Sequence, residues 1–286
     1  MLAKLVLGLG IGVIFGFALQ RGRFCMYTAF RDIFLIRDLT LFKAYVLAVL
    51  IQMVLIHVLR ELGVINFGPV LLFWLGAMIG GFLFGIGMTL AGGCASSSFY
   101  RVGEGMIGSF VAVLTFIIFA ASTSVGILKP LAVALYSVNL DFGARSATIS
   151  GLVGINDWII VVLLVIVGGF WLFWGRSPTP ERGWGWHKTG IIIGLIAAMA
   201  WWASSITGRN YGLTMTGPSA SVLLYLTRGD NAYLDWGTFQ LLGIPLGAFL
   251  AASWNREFRW RAPQPKRIML QALGGAVMGI RAVIAM

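Results

Sequence analysis

The sequence predicts an all-α polytopic membrane protein. About eight transmembrane helices are expected, joined by short re-entrant half-helices in an inverted-repeat, hourglass arrangement. Three observations predict it. Of the 286 residues, 59% are hydrophobic and 11% charged, and the mean hydropathy is +0.90; soluble domains carry about 25% charged residues. The apolar residues fall in runs of the length, about 20 residues, that crosses a hydrocarbon core. The order of these runs repeats within the chain.

Leu2–Gln20 is the first run. Lys4 is its only basic residue and no small-residue cleavage site follows, so it reads as a span rather than a signal peptide. Leu41–Leu59, Val70–Gly92, Met106–Gly126, Trp158–Gly175, Thr189–Thr207, Trp236–Trp254 and Ile268–Met286 complete the eight. Trp171, Trp174, Trp184, Trp186, Trp254 and Trp260 gather near span ends, as interfacial aromatics do. Gly22–Ile36, Cys94–Val102 and Asn210–Leu226 are too short to span and too apolar for ordinary loops. They read as half-helices, because irregular backbone at membrane depth is stable only when buried in protein or lining a cavity. Three interfacial helices are the alternative.

The net charge of +11 resides in the connections. In a soluble protein it would suggest nucleic acid. Here loop cations set topology, no nucleic-acid partner is expected, and an anionic solute is the second reading. Arg21, Arg23, Arg31, Arg37, Lys43, Arg101, Arg176, Arg182, Lys188, Arg256, Arg259, Arg261, Lys266 and Arg267 fall on one side. Lys4, Arg60, Lys129, Arg145, Arg209 and Arg228 fall on the other. The richer side is cytoplasmic by the positive-inside rule, with the N-terminus outside.

The repeat is clearest where GGFLFGIGMTLA (80–91) aligns without gaps to GGAVMGIRAVIA (274–285). GFALQRGRFC (16–25) loosely echoes SSITGRNYG (204–212). The whole chain, 1–286, is one integral membrane domain: 1–128 is the first repeat, 129–188 a connector with one span, and 189–286 an incomplete second repeat. Five crossings separate the first members, so the halves are inverted, which points to a transporter with its path at the repeat interface. By this alignment the partner of Cys94 falls two positions past Met286, and a third cysteine, a half-helix and a ninth span are expected there.

Cys25 and Cys94 are the only cysteines, and no zinc-like spacing involves His57 or His187. No cofactor, metal site or catalytic constellation is expected. Cys94 follows Gly92 and Gly93 and opens a helix containing Ser96, Ser97 and Ser98. Paired glycines let backbone turn and approach a solute, and a helix N-terminus offers N–H groups and about half a positive charge to an anion. Cys25 follows Arg21-Gly22-Arg23-Phe24 in the same manner. A single such cysteine is commonly a small hydrophobe; two in matching turns point to function. A neutral thiol is a weak donor suited to a sulfur or oxygen anion, whereas a thiolate would repel it. Arg101 and Glu104, three residues apart, are placed to pair. Gln52, His57 and Gln240 are polar residues within spans, and Arg281 replaces Gly87 in the repeat.

RGRFC (21–25), LAGGC (90–94), YRVGEG (100–105) and EFRWR (257–261) together resemble the YeeE/YedE family of sulfur-compound transporters. The resemblance implies uptake of thiosulfate or a related sulfur species through an hourglass-shaped helical protein. It implies passage by brief contacts with three cysteines, of which two map to Cys25 and Cys94. Gly22, Arg23, Gly92, Gly93, Ser96, Arg101, Glu104 and Gly212 are the accompanying path residues. The implied partners are a small sulfur anion, membrane lipid and a cytoplasmic sulfur-carrier protein, and the implied location is the bacterial inner membrane. The competing readings are a membrane thiol-disulfide oxidoreductase using Cys25 and Cys94 as a redox pair, and a non-sulfur anion channel.

Overall fold

The computed structural model describes residues 2–65, 73–130, 154–173, 183–209 and 211–284, together with 133 and 151. Side chains from 281 onward are not described, so Arg281 lies outside, as do Arg145, Arg176 and Arg182.

The described elements are helices: α1 (Leu2–Gly22), α2 (Met26–Leu35), α3 (Thr40–Glu61), α4 (Trp74–Ala91), α5 (Ala95–Gly103), α6 (Ile107–Val125), α7 (Asp157–Phe173), α8 (Trp186–Ile206), α9 (Thr216–Arg228), α10 (Trp236–Trp254) and α11 (Pro265–Ile284). The protein is an all-α polytopic membrane protein. Among the described residues six helical runs, Leu2–Leu35, Thr40–Glu61, Trp74–Gly103, Ile107–Val125, Trp186–Ile206 and Trp236–Trp254, are long and apolar enough to cross a membrane. The other two expected spans are also helical: α7 is a shorter apolar helix of 17 residues, and α11 has 20 residues but is more polar. α2, α5 and α9 correspond to the three short segments.

Helix packing follows from small residues. A Cβ placed on Gly8 would lie 2.5 Å from the Trp236 carbonyl oxygen, one on Gly12 2.1 Å from that of Gln240, and one on Gly16 2.0 Å from that of Ile244. The four-residue spacing on both helices makes α1 and α10 a parallel pair in backbone contact, the geometry that small residues permit in membranes. α3 and α8 are likewise parallel, with Gly190 against Ala44 and Gly194 against Ala48. α11 packs on α4 and α6, where Gly87 meets Met278 and Gly279 meets Phe116.

Large apolar side chains face outward. α7 buries only Val161 and Leu172, while Ile159, Leu163, Ile166 and Phe170 are exposed, as a lipid-facing helix requires. The core holds Phe15, Leu19, Phe24, Phe99, Phe116, Trp236 and Ile244. Lys43, expected in a connection, instead lies in the first turn of α3, buried, with its ammonium 5.6 Å from the Trp186 ring centre. α3 begins at Thr40, one residue before the expected span, which already included position 43, and the aromatic face accommodates the cation.

Contacts bring Arg21, Arg23 and Arg261 of the larger basic set to one end of the bundle. Trp184 N–H donates to Arg21 O at 2.9 Å, Arg23 pairs with Glu257 at 3.2 Å, and Arg261 exchanges backbone hydrogen bonds with Gly105 and Ile107. Elsewhere Arg60 pairs with Asp157 and Arg209 with Asp235.

Candidate functional site

The two cysteines come together although 69 positions separate them. The last turn of α1 closes with Arg23 N–H to Gln20 O and Phe24 N–H to Leu19 O, and Arg23 takes left-handed backbone with φ +46°. That sharp turn sends the chain back and makes Cys25 the residue before α2. α4 ends at Gly92, whose φ of +71° suits glycine, with Gly93 N–H donating to Met88 O. Cys94 then opens α5 with extended backbone. A Cβ on Gly93 would lie 2.5 Å from Ser97 Oγ, so only glycine fits without displacing that hydroxyl.

Both cysteines are free and buried, and their sulfurs are 3.9 Å apart. Cys25 Sγ lies 3.2 Å from Ser97 Oγ, and Cys94 Sγ lies 3.2 Å from Ser96 Oγ. Ser97 and Ser98 donate to the Cys94 carbonyl at 2.9 and 3.1 Å. The α5 N-terminus, two thiols and two hydroxyls thus form one small cluster of soft and weakly polar groups. Such a cluster can donate to an anion without holding it permanently.

Arg101 and Glu104 do not pair as their spacing suggests. Arg101 Nη1 reaches back along α5 to donate to Gly92 O at 2.8 Å, supporting the glycine turn. Glu104, in the α5–α6 turn, accepts from Gln20 Nε2 at 3.2 Å. The same amide nitrogen donates to Glu257 Oε2 at 2.7 Å, and Arg23 is 3.2 Å from that oxygen. Burial pushes the Glu104 carboxyl above the ordinary range, partly offset by Gln20 and the nearby Arg23. For Glu257 burial pushes upward, but the hydrogen bond from Gln20 and the charges of Arg23 and Arg21 together outweigh it, so its carboxyl is lowered.

The structure therefore brings Gly22, Arg23, Cys25, Gly92, Gly93, Cys94, Ser96, Arg101 and Glu104 into one region. It does not bring Gly212 there. Gly212 packs on Trp201 near the C-terminal end of α8, whereas Gly22 meets Thr189 at the N-terminal end of that helix. The weak resemblance of 204–212 to 16–25 carried no long-range information about α8. His57 is a packed residue, 2.8 Å from Met53 O and edge-on to Trp158. An apolar groove of about 570 Å³, lined by Leu47, Ile51, Leu172 and Leu195 among others, lies on α3, α7 and α8 rather than at the thiols. Sequence reasoning missed Gln20, Ser97 and Glu257 as site residues. Gln20, a polar residue five positions before a cysteine at the end of a span, was the available signal.

Among similar proteins, the Thiosulfate transporter TsuA of Escherichia coli (strain K12) is 34% identical over 304 residues, covering 100% of this chain and 85% of that protein. The Thiosulfate transporter TsuA of Spirochaeta thermophila is 37% identical over 293 residues, covering 97% of this chain and 87% of that protein. The Probable transporter YedE of Escherichia coli matches over 106 residues at 37% identity, 36% of this chain and 25% of that protein. The family model described as Sulphur transport matches residues 21–286. This match begins at the α1 turn and includes both cysteines, and the relatives are named transporters rather than enzymes. The chain, a multi-pass membrane protein, therefore belongs to the sulphur-transport family.

Proposed function

We propose that this protein takes up thiosulfate, or a closely related small sulfur anion, across the bacterial inner membrane through a narrow path lined by Cys25 and Cys94. The observation that carries the reading is the convergence of two buried free thiols, 3.9 Å apart, at two turns beside a helix N-terminus. The names of the full-length relatives support the substrate class.

Neutral thiols act as weak donors that the anion contacts in turn. Ser96 and Ser97 supply neighbouring hydroxyls, and the first N–H groups of α5 add partial positive charge. Gly22 and Gly93 keep bulk out of the turns, Arg23 belongs to the α1 turn, and Arg101 holds Gly92. Binding by several weak contacts lets the anion leave as well as enter. In this reading the halves form inverted repeats, the N-terminus is outside, and a soluble sulfur-carrier protein receives the anion at the cytoplasmic end.

The test is growth on thiosulfate of a strain that depends on this uptake. Cys94→Ala, expressed normally, abolishes growth. Undiminished growth sinks the relay.

A further inference from the structure

The segment from Gln20 to Cys25 meets the segment from Cys94 to Glu104 twice. One contact is the thiol pair. The other is Gln20 to Glu104, at the opposite end of the nine-residue helix α5. The thiol contact belongs to the path; the second contact has no role yet.

Gln20 is fully buried, with 0% of its surface exposed. Its Nε2 is fully used, donating to Glu104 and Glu257. Its Oε1 is buried and has no hydrogen-bond partner among the described residues. A buried acceptor without a donor is costly. An ionised carboxylate is acceptor-only and cannot supply the missing donor; a protonated one can. The charged and titratable groups facing Glu104 are Arg23 from the α1 turn, Arg261 and Glu257 from the α10–α11 connection, and Arg101 and Tyr100 from α5. Arg23 is engaged with Glu257, and Arg101 with the Gly92 carbonyl. Glu257 has a guanidinium at ion-pair distance, whereas Glu104 is joined to its neighbours through Gln20. The proton therefore goes to Glu104.

We infer that Glu104 and Gln20 form a proton-binding site that couples anion uptake to proton entry. Ionised Glu104 accepts from Gln20 Nε2. Protonated Glu104 swings to the adjacent Oε1 and donates its O–H there, while Nε2 stays on Glu257. The proton enters with the anion along the same path, binds at Glu104 beside Arg23 and Arg261, and is released at that end with the anion. A negative carboxylate joined to the thiol-bearing turns repels an arriving anion, and protonation removes that repulsion. An anion entering a cell also moves against an inside-negative potential, which an accompanying proton offsets. The raised carboxyl of Glu104 is in keeping with this role.

The inference rests on the transport reading, and one experiment separates the two. The full chain is reconstituted in liposomes with the membrane potential clamped at zero and a pH-sensitive dye in the lumen. Labelled thiosulfate is then added with the outer medium at the lumenal pH or one unit more acid. Wild-type uptake should rise severalfold with acid outside, and thiosulfate should acidify the lumen. Glu104→Gln should lose both responses, and Glu61→Gln, at the end of α3 where that carboxylate accepts from Trp158 Nε1, should keep them. Thiosulfate entry without lumenal acidification, or an unchanged acid response in Glu104→Gln, overturns the coupling and leaves the transport reading standing. Absence of wild-type entry overturns both. If Glu104→Gln fails to fold, the wild-type dye signal still decides the coupling, and an acid response retained in Gln20→Met, which lacks the acceptor for the Glu104 proton, overturns the site.

Discussion

The convergence of Cys25 and Cys94 has a direct chemical consequence. A disulfide needs sulfurs about 2.05 Å apart, and these lie at 3.9 Å, so closing the bond asks for an approach of about 1.9 Å. That distance is within reach of side-chain rotation with a small backbone adjustment. The bond would close a loop of 69 positions, for which the chain-entropy relation gives about 4 kcal/mol of stabilisation. The perturbation is treatment of the detergent-purified protein with a mild thiol oxidant. The assay is alkylation after denaturation, with and without prior reduction, read by intact mass. Wild-type protein should lose both alkylation sites on oxidation and regain them on reduction, with a higher unfolding temperature in the oxidised form. Thiosulfate uptake should stop on oxidation and return on reduction, because a sulfur held in a disulfide has no S–H to donate. If both thiols stay alkylatable after an oxidant that modifies each single-cysteine variant, the two turns do not meet as described.

Other expectations address separate parts of the structure. Ser97→Ala removes the hydroxyl 3.2 Å from Cys25; uptake should fall severalfold while unfolding shifts by about 1 kcal/mol, the usual value of one hydrogen bond. Gly16→Val forces side-chain atoms toward the Ile244 carbonyl, which a Cβ alone would approach to 2.0 Å; thermal unfolding in detergent should show a loss of about 1–3 kcal/mol or more, as overpacking does. Gln240 is buried with both amide atoms unpartnered among the described residues, so Gln240→Leu should stabilise by about 1–3 kcal/mol, and uptake measured alongside reports whether that amide also serves the path. The two carboxyls give opposite pH signatures around their ordinary value of 4.5. Glu104 is raised, so the native state binds more protons and its contribution is lost as pH rises above 4.5. Glu257 is lowered, so its contribution is lost as pH falls below 4.5. Unfolding measured across this range should show the upper limb flatten in Glu104→Gln and the lower limb flatten in Glu257→Gln.

Much of the architecture was legible because membrane helices are written locally. A run such as Trp236–Trp254 must satisfy its own backbone hydrogen bonds in lipid, so composition and length suffice, and α10 has those bounds. Length and composition were less decisive for α7 and α11. The former is 17 residues, and the latter begins at Pro265, where basic and polar residues lower its hydropathy. The breaks before α2 and α5 were legible from glycine and cysteine in short turns. The partners across those breaks were not. Arg101 and Glu104 look like a local ion pair at three-residue spacing, yet each has a nearer partner from a more distant segment: Gly92 for one and Gln20 for the other.

By itself the sequence determined that this is a helical membrane protein, that its cysteines open short helices after tight turns, and that it resembles sulfur-compound transporters. These properties depend on hydropathy, turn chemistry and motif, all of which act over a few residues. Only the tertiary structure decided that the two thiols touch, that Ser97 stands beside Cys25, and that one buried glutamine holds two carboxylates from separate connections. It also decided that Gly212 lies apart from them. Such contacts depend on how α1, α5 and α10 pack, and that packing is set by glycine-to-backbone approaches of neighbouring helices. A side chain's own neighbours in sequence do not encode the partner that a helix 69 positions away will bring.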